Sequence, residues 1–300
     1  MTTISAELRP AAEAERIESL EIGQWQAVWR RLRRHRFALL GMVVLATLVA
    51  IAVLAPLFAP GGFDEQNLFA RYGLPSAAHP LGTDDLGRDV LVRLIYGARI
   101  SLTVASIATI LATLFGMLVG ASAGYLGGVV ETVNMRIADI MLSLPALPLL
   151  IIFSAALGPG LITIVFVLTV FGWMGVARLT HGAVLALRHR EFTEAARALG
   201  GGAWHNIIRH MLPNALAPII VSATLGFGNR VIAEATLSFL GLGINLPTPS
   251  WGNMLTNAQG YIWSQPWLAV YPGACIFITV LAINFLGDGL RDALDPRLKI

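Results

Sequence analysis

Residues 37–59 read FALLGMVVLATLVAIAVLAPLFA, a run without a single charge. At about 1.5 Å per residue, a helix of this length crosses a hydrocarbon core of about 30 Å. A helix apolar on every side needs lipid or protein all round it. The run is longer than the roughly 7–15-residue core of a secretory signal, lies behind 36 other residues, and has no A-x-A cleavage site after it. It therefore reads as a retained membrane helix.

The rest of the chain agrees. Of its 300 residues, 56% are hydrophobic and 13% charged, where soluble domains carry about 25% charged residues. Five further segments qualify as spans: 101–125, 132–157, 161–187, 214–240 and 267–290. Gly and Pro within them are tolerated because neighbouring helices re-satisfy the freed backbone groups. Gly116, Gly120 and Gly124 form overlapping G-x-x-x-G repeats, which we read as a close-packing seam inside this chain. The lone Cys275 reads as a small buried hydrophobe.

Arginine placement orients the chain. Arg30, Arg31, Arg33, Arg34 and Arg36 precede the first span; Arg188, Arg190, Arg197 and Arg209 lie between the fourth and fifth; Arg291, Arg297 and Lys299 follow the last. With six spans all three groups share one side, the cytoplasm. The expected fold is thus an all-α membrane protein of six transmembrane helices with N and C termini cytoplasmic. Its parts are a leader (1–36), a first helix (37–59), an outer loop (60–100), a five-helix core (101–290) and a tail (291–300). In the leader, Trp25, Val28, Trp29 and Leu32 recur at i, i+3, i+4, i+7 opposite the arginines, the pattern of an interfacial amphipathic helix. Residues 1–13 read as disordered.

Within the core, residues 188–213 form a polar island. Phe192, Ala195, Ala196 and Leu199 make one apolar stripe, and Trp204, Ile207, Ile208 and Met211 repeat it. Gly200–Gly202 separate the two, and Pro213 opens the next span. The expectation is two short helices joined by a glycine turn, one stripe lying on the bundle and the other face presented to the cytoplasm.

This island resembles the "EAA" loop of ABC-importer permeases, E-A-A-x3-G-x9-I-x-L-P. Here it reads Glu194-Ala195-Ala196, three residues, Gly200, nine residues, His210 in place of Ile, one residue, Leu212-Pro213. A His before LPN is similar to the peptide and nickel branch. HPLGTDDLGRDVLVRLIYGARISL (79–102) and FLGDGLRDALDPRLK (285–299) resemble segments of the C-type subunit of dipeptide and oligopeptide permeases. The resemblance implies a permease that pairs with a homologous subunit. It implies a coupling loop (Glu194, Ala195, Ala196, Arg197, Leu199, Gly200, Trp204, His210, Pro213) that docks on two ATPase subunits, and an extracytoplasmic binding protein that delivers peptide. The location implied is a bacterial or archaeal cell (inner) membrane. Asp84, Asp85, Gly87, Arg88 and Asp89 form the extracytoplasmic signature.

Chemistry is expected elsewhere. A P-loop needs a lysine in G-x-x-x-x-G-K-[ST], and the sole lysine is Lys299. ATP and Mg therefore belong to partner subunits, and this chain carries no cofactor and no catalytic residue. No H-E-x-x-H or G-x-S-x-G occurs, and no metal or nucleic-acid site is expected. Asp84, Asp85 and Asp89 read as turn chemistry around Arg88, with Asp85 capping or starting a helix that lies against the outer membrane face or the partner permease. In the fifth span Asn229, Arg230 and Glu234 form a polar patch, either a pathway or gate or a neutralised pair four residues apart. Asp139 pairs with Arg136 or lines the cavity. The alternatives are a nickel or other small-solute permease, or a secondary transporter driven by an ion gradient.

Overall fold

The computed structural model describes residues 24–59 and 61–294. The readings of residues 1–13, of the tail beyond Leu294 and of the Trp25 side chain lie outside them. The described residues are almost entirely helical, without strands.

Helix α1 (Gln24–Leu32) turns at Arg33–His35 into α2 (Arg36–Val53), whose N-cap is the His35 imidazole. A single helical turn, Ala55–Phe58, follows. After the loop that ends at Asp89 come α3 (Val90–Leu126), α4 (Gly128–Ser143), α5 (Ala146–Leu157), α6 (Leu161–Val170) and α7 (Met174–Leu187). Then come α8 (Glu191–Ala198), α9 (Ala203–Asn206), α10 (Leu212–Phe239), α11 (Trp251–Gln259) and α12 (Trp267–Leu294). Five bodies are long and apolar enough to cross a membrane, or six when α4 and α5, bent by 94°, are taken as one crossing. The bend falls at Leu144-Pro145 because proline removes a backbone donor and forces its predecessor out of the helical region.

Two boundaries differ from the sequence reading. The helix expected after Asp85 is not a separate surface element: it runs without a break into the second span, giving the 37 residues of α3, about 55 Å at helical rise. Nor does Asp85 start it. Asp89 is the N-cap, accepting from the Val92 amide at 3.0 Å, because Gly87 (φ +74°) holds residues 84–88 in a turn. The expected span 132–157 corresponds to the bent pair α4 and α5.

The G-x-x-x-G seam packs within the chain, as expected. A Cβ on Gly116, Gly120 or Gly124 would meet the carbonyls of Trp173, Ala177 and His181 at 2.6, 2.2 and 2.8 Å. Glycine alone lets α3 and α7 touch backbone to backbone. Salt-bridge partners also lie across helices. Asp139 pairs with Arg178 on α7, not Arg136, and Glu131 meets His181 at 2.9 Å. Both pairs tie α4 to α7.

Candidate functional site

Two polar regions cap opposite ends of α3. At its Leu126 end lies the 188–213 loop. Helix α8 is anchored at its start by Thr193, fully buried, whose hydroxyl donates to the Leu187 carbonyl at 2.9 Å. It closes in a glycine cap, with Gly200 at φ +83° and the Gly201 amide bonded to the Ala196 carbonyl at 2.9 Å. The Tyr125 hydroxyl, at the end of α3, then accepts two donors: Arg197 Nε at 3.0 Å and Asn206 Nδ2 at 2.9 Å. The Arg197 guanidinium also lies 4.8 Å from the centre of the Tyr125 ring, a cation–π contact. Asn206 closes the glycine turn by donating to the Gly201 carbonyl at 3.0 Å.

The second expected helix of this loop is not separate. Helix α9 passes through a π turn (Ile207–Met211) into α10, so residues 203–239 form one body. Pro213 supplies the reason: it sits in the first turn of α10 without an N–H to donate, and the ladder shifts to Leu212 N bonding the Ile207 carbonyl. The stripes are also divided differently. Ile207 and Met211 are buried against Tyr125 and Val184. Phe192, Leu199, Trp204 and Ile208 are instead exposed, Leu199 to 89%. Thus the apolar face of α8 is not laid on the bundle. Glu191, Glu194, Ala195, Arg197 and Pro213 are exposed, Ala196 and His210 half-buried.

At the Val90 end, the Asp84–Asp89 segment is closed on itself. Asp84 accepts from the amides of Leu86 and Arg88, each at 2.9 Å, and from Arg88 Nε at 2.7 Å. Arg93 approaches the same carboxylate at 3.6 Å, and Asp85 meets Arg88 at 3.3 Å. Asp89 pairs with His79 at 2.8 Å. A Cβ on Gly87 would fall 1.8 Å from the Asn67 carbonyl. Helix α11, which sequence reasoning missed, covers this end. Ser250 and Asn253 form its capping box, and the buried Trp251 donates its indole N–H to the Leu94 carbonyl at 3.2 Å.

In α10, Arg230 and Glu234 are both buried but do not pair with each other. Arg230 Nη2 donates to the Gly172 carbonyl at 2.9 Å, in the break between α6 and α7. A Cβ on Gly172 or Gly226 would come within 2.6 or 2.7 Å of the guanidinium. Glu234 accepts from Ser238 at 2.7 Å. Asn229 is exposed. Sequence reasoning also missed Tyr125, Asn206 and Arg93; the signal for Tyr125 was a polar tip at the end of a glycine seam.

A bundle of broken and bent membrane helices, capped at one end and carrying an exposed apolar loop at the other, defines a multi-pass membrane permease. The family described as binding-protein-dependent transport system inner membrane component matches residues 112–300, and the N-terminal TM domain of oligopeptide transport permease C matches residues 23–75. The chain belongs to the first family, as a permease subunit of the peptide C type. It is 42% identical to the dipeptide transport system permease protein DppC of Alkalihalophilus pseudofirmus, over 93% of this chain and 91% of the relative. It is 37% identical to the oligopeptide transport system permease protein OppC of Bacillus subtilis, over 96% and 95%. The glutathione transport system permease protein GsiD of Pectobacterium atrosepticum is 39% identical, over 92% of each. In fold, the chain is similar to an inward-facing MetNI methionine ABC transporter, with TM-score 0.54 and 23% identity, over 69% of this chain and 96% of that one.

Proposed function

We propose that this chain is the non-catalytic permease subunit of an ATP-driven importer of dipeptides or oligopeptides. In this reading it lines a translocation path with a homologous permease. The 188–213 loop faces the cytoplasm together with both termini and docks on partner ATPases that hold ATP and Mg. A binding protein delivers cargo to the Asp84–Asp89 and α11 end. Peptide cargo rests on the similarity to the dipeptide and oligopeptide permeases, and a nickel or other small-solute permease is the alternative.

One observation carries the ATPase reading: a loop held rigidly from behind leaves Phe192, Leu199, Trp204 and Ile208 exposed in front. Exposed apolar clusters rimmed by charge mark protein contacts. The ties explain how docking would move the bundle. Thr193 fixes the loop to α7, α9 is continuous with α10, and Tyr125 fixes it to α3, whose far end is the outer cap. Each nucleotide state of the ATPase need only favour a different arrangement of these helices. Leu199→Glu should leave the protein inserted while cutting co-purifying ATPase roughly 30-fold, the loss expected of an interface hot spot. ATPase retained at the wild-type level by that variant refutes the docking role. Cargo is tested separately, by peptide binding to the cognate binding protein and uptake by the reconstituted transporter.

A further inference from the structure

The chain's densest charge is not used by the loop or the cap. Arg30, Arg33, Arg34 and Arg36 are all exposed, clustered around the turn between α1 and α2. The sequence holds no Asp or Glu from residue 24 to residue 63. The element packed against this turn is α12, seated on Leu32 and Ala38 through Leu290 and Ala293. Its acids are Asp288 and Asp292, and Asp292 is turned to His35 at 3.7 Å.

The surface beside the arginines is apolar. Trp29 is 48% exposed with the Arg33 guanidinium 5.7 Å from its ring. Phe37 and Leu40, the first residues of the span, are 60% and 53% exposed. Exposed charge, an exposed indole and exposed hydrocarbon thus fall together within residues 29–40. A soluble acidic protein would match only the first part. A phospholipid matches the whole sequence: a phosphate for the guanidiniums, an interface for the indole, acyl chains for the span.

We propose that the Arg30–Arg36 turn is a binding surface for anionic phospholipid headgroups, which hold α1 down on the end of α12. The proposal requires only that α2 span the bilayer, and stands apart from the ATPase and cargo readings. Bidentate guanidinium–phosphate contacts suit this role better than lysine would. Basic residues near an anionic surface each favour it roughly fivefold, and salt screens the effect.

The test uses the full-length chain in nanodiscs doped with phosphatidylglycerol or phosphatidylcholine brominated near the headgroup. The Trp29 signal is taken as the difference between wild type and Trp29→Phe. Brominated phosphatidylglycerol should quench Trp29 at a several-fold lower mole fraction than brominated phosphatidylcholine. The preference should shrink in Arg30→Gln, vanish in Arg30→Gln/Arg34→Gln, and weaken in high salt. Equal quenching by the two lipids overturns the proposal, as does a preference that survives the double substitution. If that substitution releases a protein subunit while the lipid preference stays intact, the surface serves a protein and the proposal fails.

Discussion

The two polar regions at the ends of α3 look alike in sequence and are built oppositely. Around Asp84 the polar groups are consumed internally: Arg88 and Arg93 are 2% and 1% exposed, and both reach one carboxylate. Around Tyr125 only a few bonds tie the loop down, and large apolar side chains remain outside. The cap end is a finished brace. The loop end is tied down on one side and open on the other, with Phe192, Leu199, Trp204 and Ile208 exposed. The two regions differ in how far their charges are buried rather than in how many they hold.

The strongest way to break this contrast is Asp84→Ala. It takes away the carboxylate that Arg93 approaches and the closer of the partners of Arg88, which keeps Asp85, and removing one partner of a buried ion pair costs about 3–5 kcal/mol. Thermal unfolding of the purified chain should show the largest loss of all the variants here. A loss near zero would mean that the cap is not a brace. Next comes Gly120→Val, which forces a side chain into the Ala177 carbonyl 2.2 Å from the Cβ position. Overpacking of this kind costs about 1–3 kcal/mol, read by the same melt, and parts α3 from α7. Tyr125→Phe keeps the ring against Arg197 but removes the acceptor of two hydrogen bonds. It should cost about 1–2 kcal/mol and loosen the loop, seen as faster proteolysis at residues 188–202. Leu199→Ser should change the melt by less than about 0.5 kcal/mol, as exposed positions do. A large destabilisation there would make the loop as core-like as the cap and erase the comparison.

Most of the loop's composition was legible from sequence. Its glycine cap, its Pro213 boundary and its apolar residues follow from local chemistry. Which apolar residues stay outside was not legible, because a helical stripe shows only that one face is apolar. Ile207 turns inward because α9 is continuous with a membrane span, whereas Leu199 ends a helix held only at Thr193 and Arg197. The same limit hid α11, whose sequence has no charge and no long apolar run. Its capping box and Trp251 make sense only against Leu94 and Ser101, about 150 positions earlier.

Sequence alone determined that this chain is an all-α membrane protein with several long apolar helices, and that some of them can meet closely at glycine. These follow from hydropathy and side-chain size, which are sums over neighbouring residues. Tertiary structure decided where helices continue or break, and which partner each charge finds. Arg230 bonds the Gly172 carbonyl rather than the Glu234 four residues away, and Asp139 finds Arg178 rather than Arg136. A buried polar group is satisfied by whatever packing brings within about 3 Å, and proximity along the chain does not decide that distance.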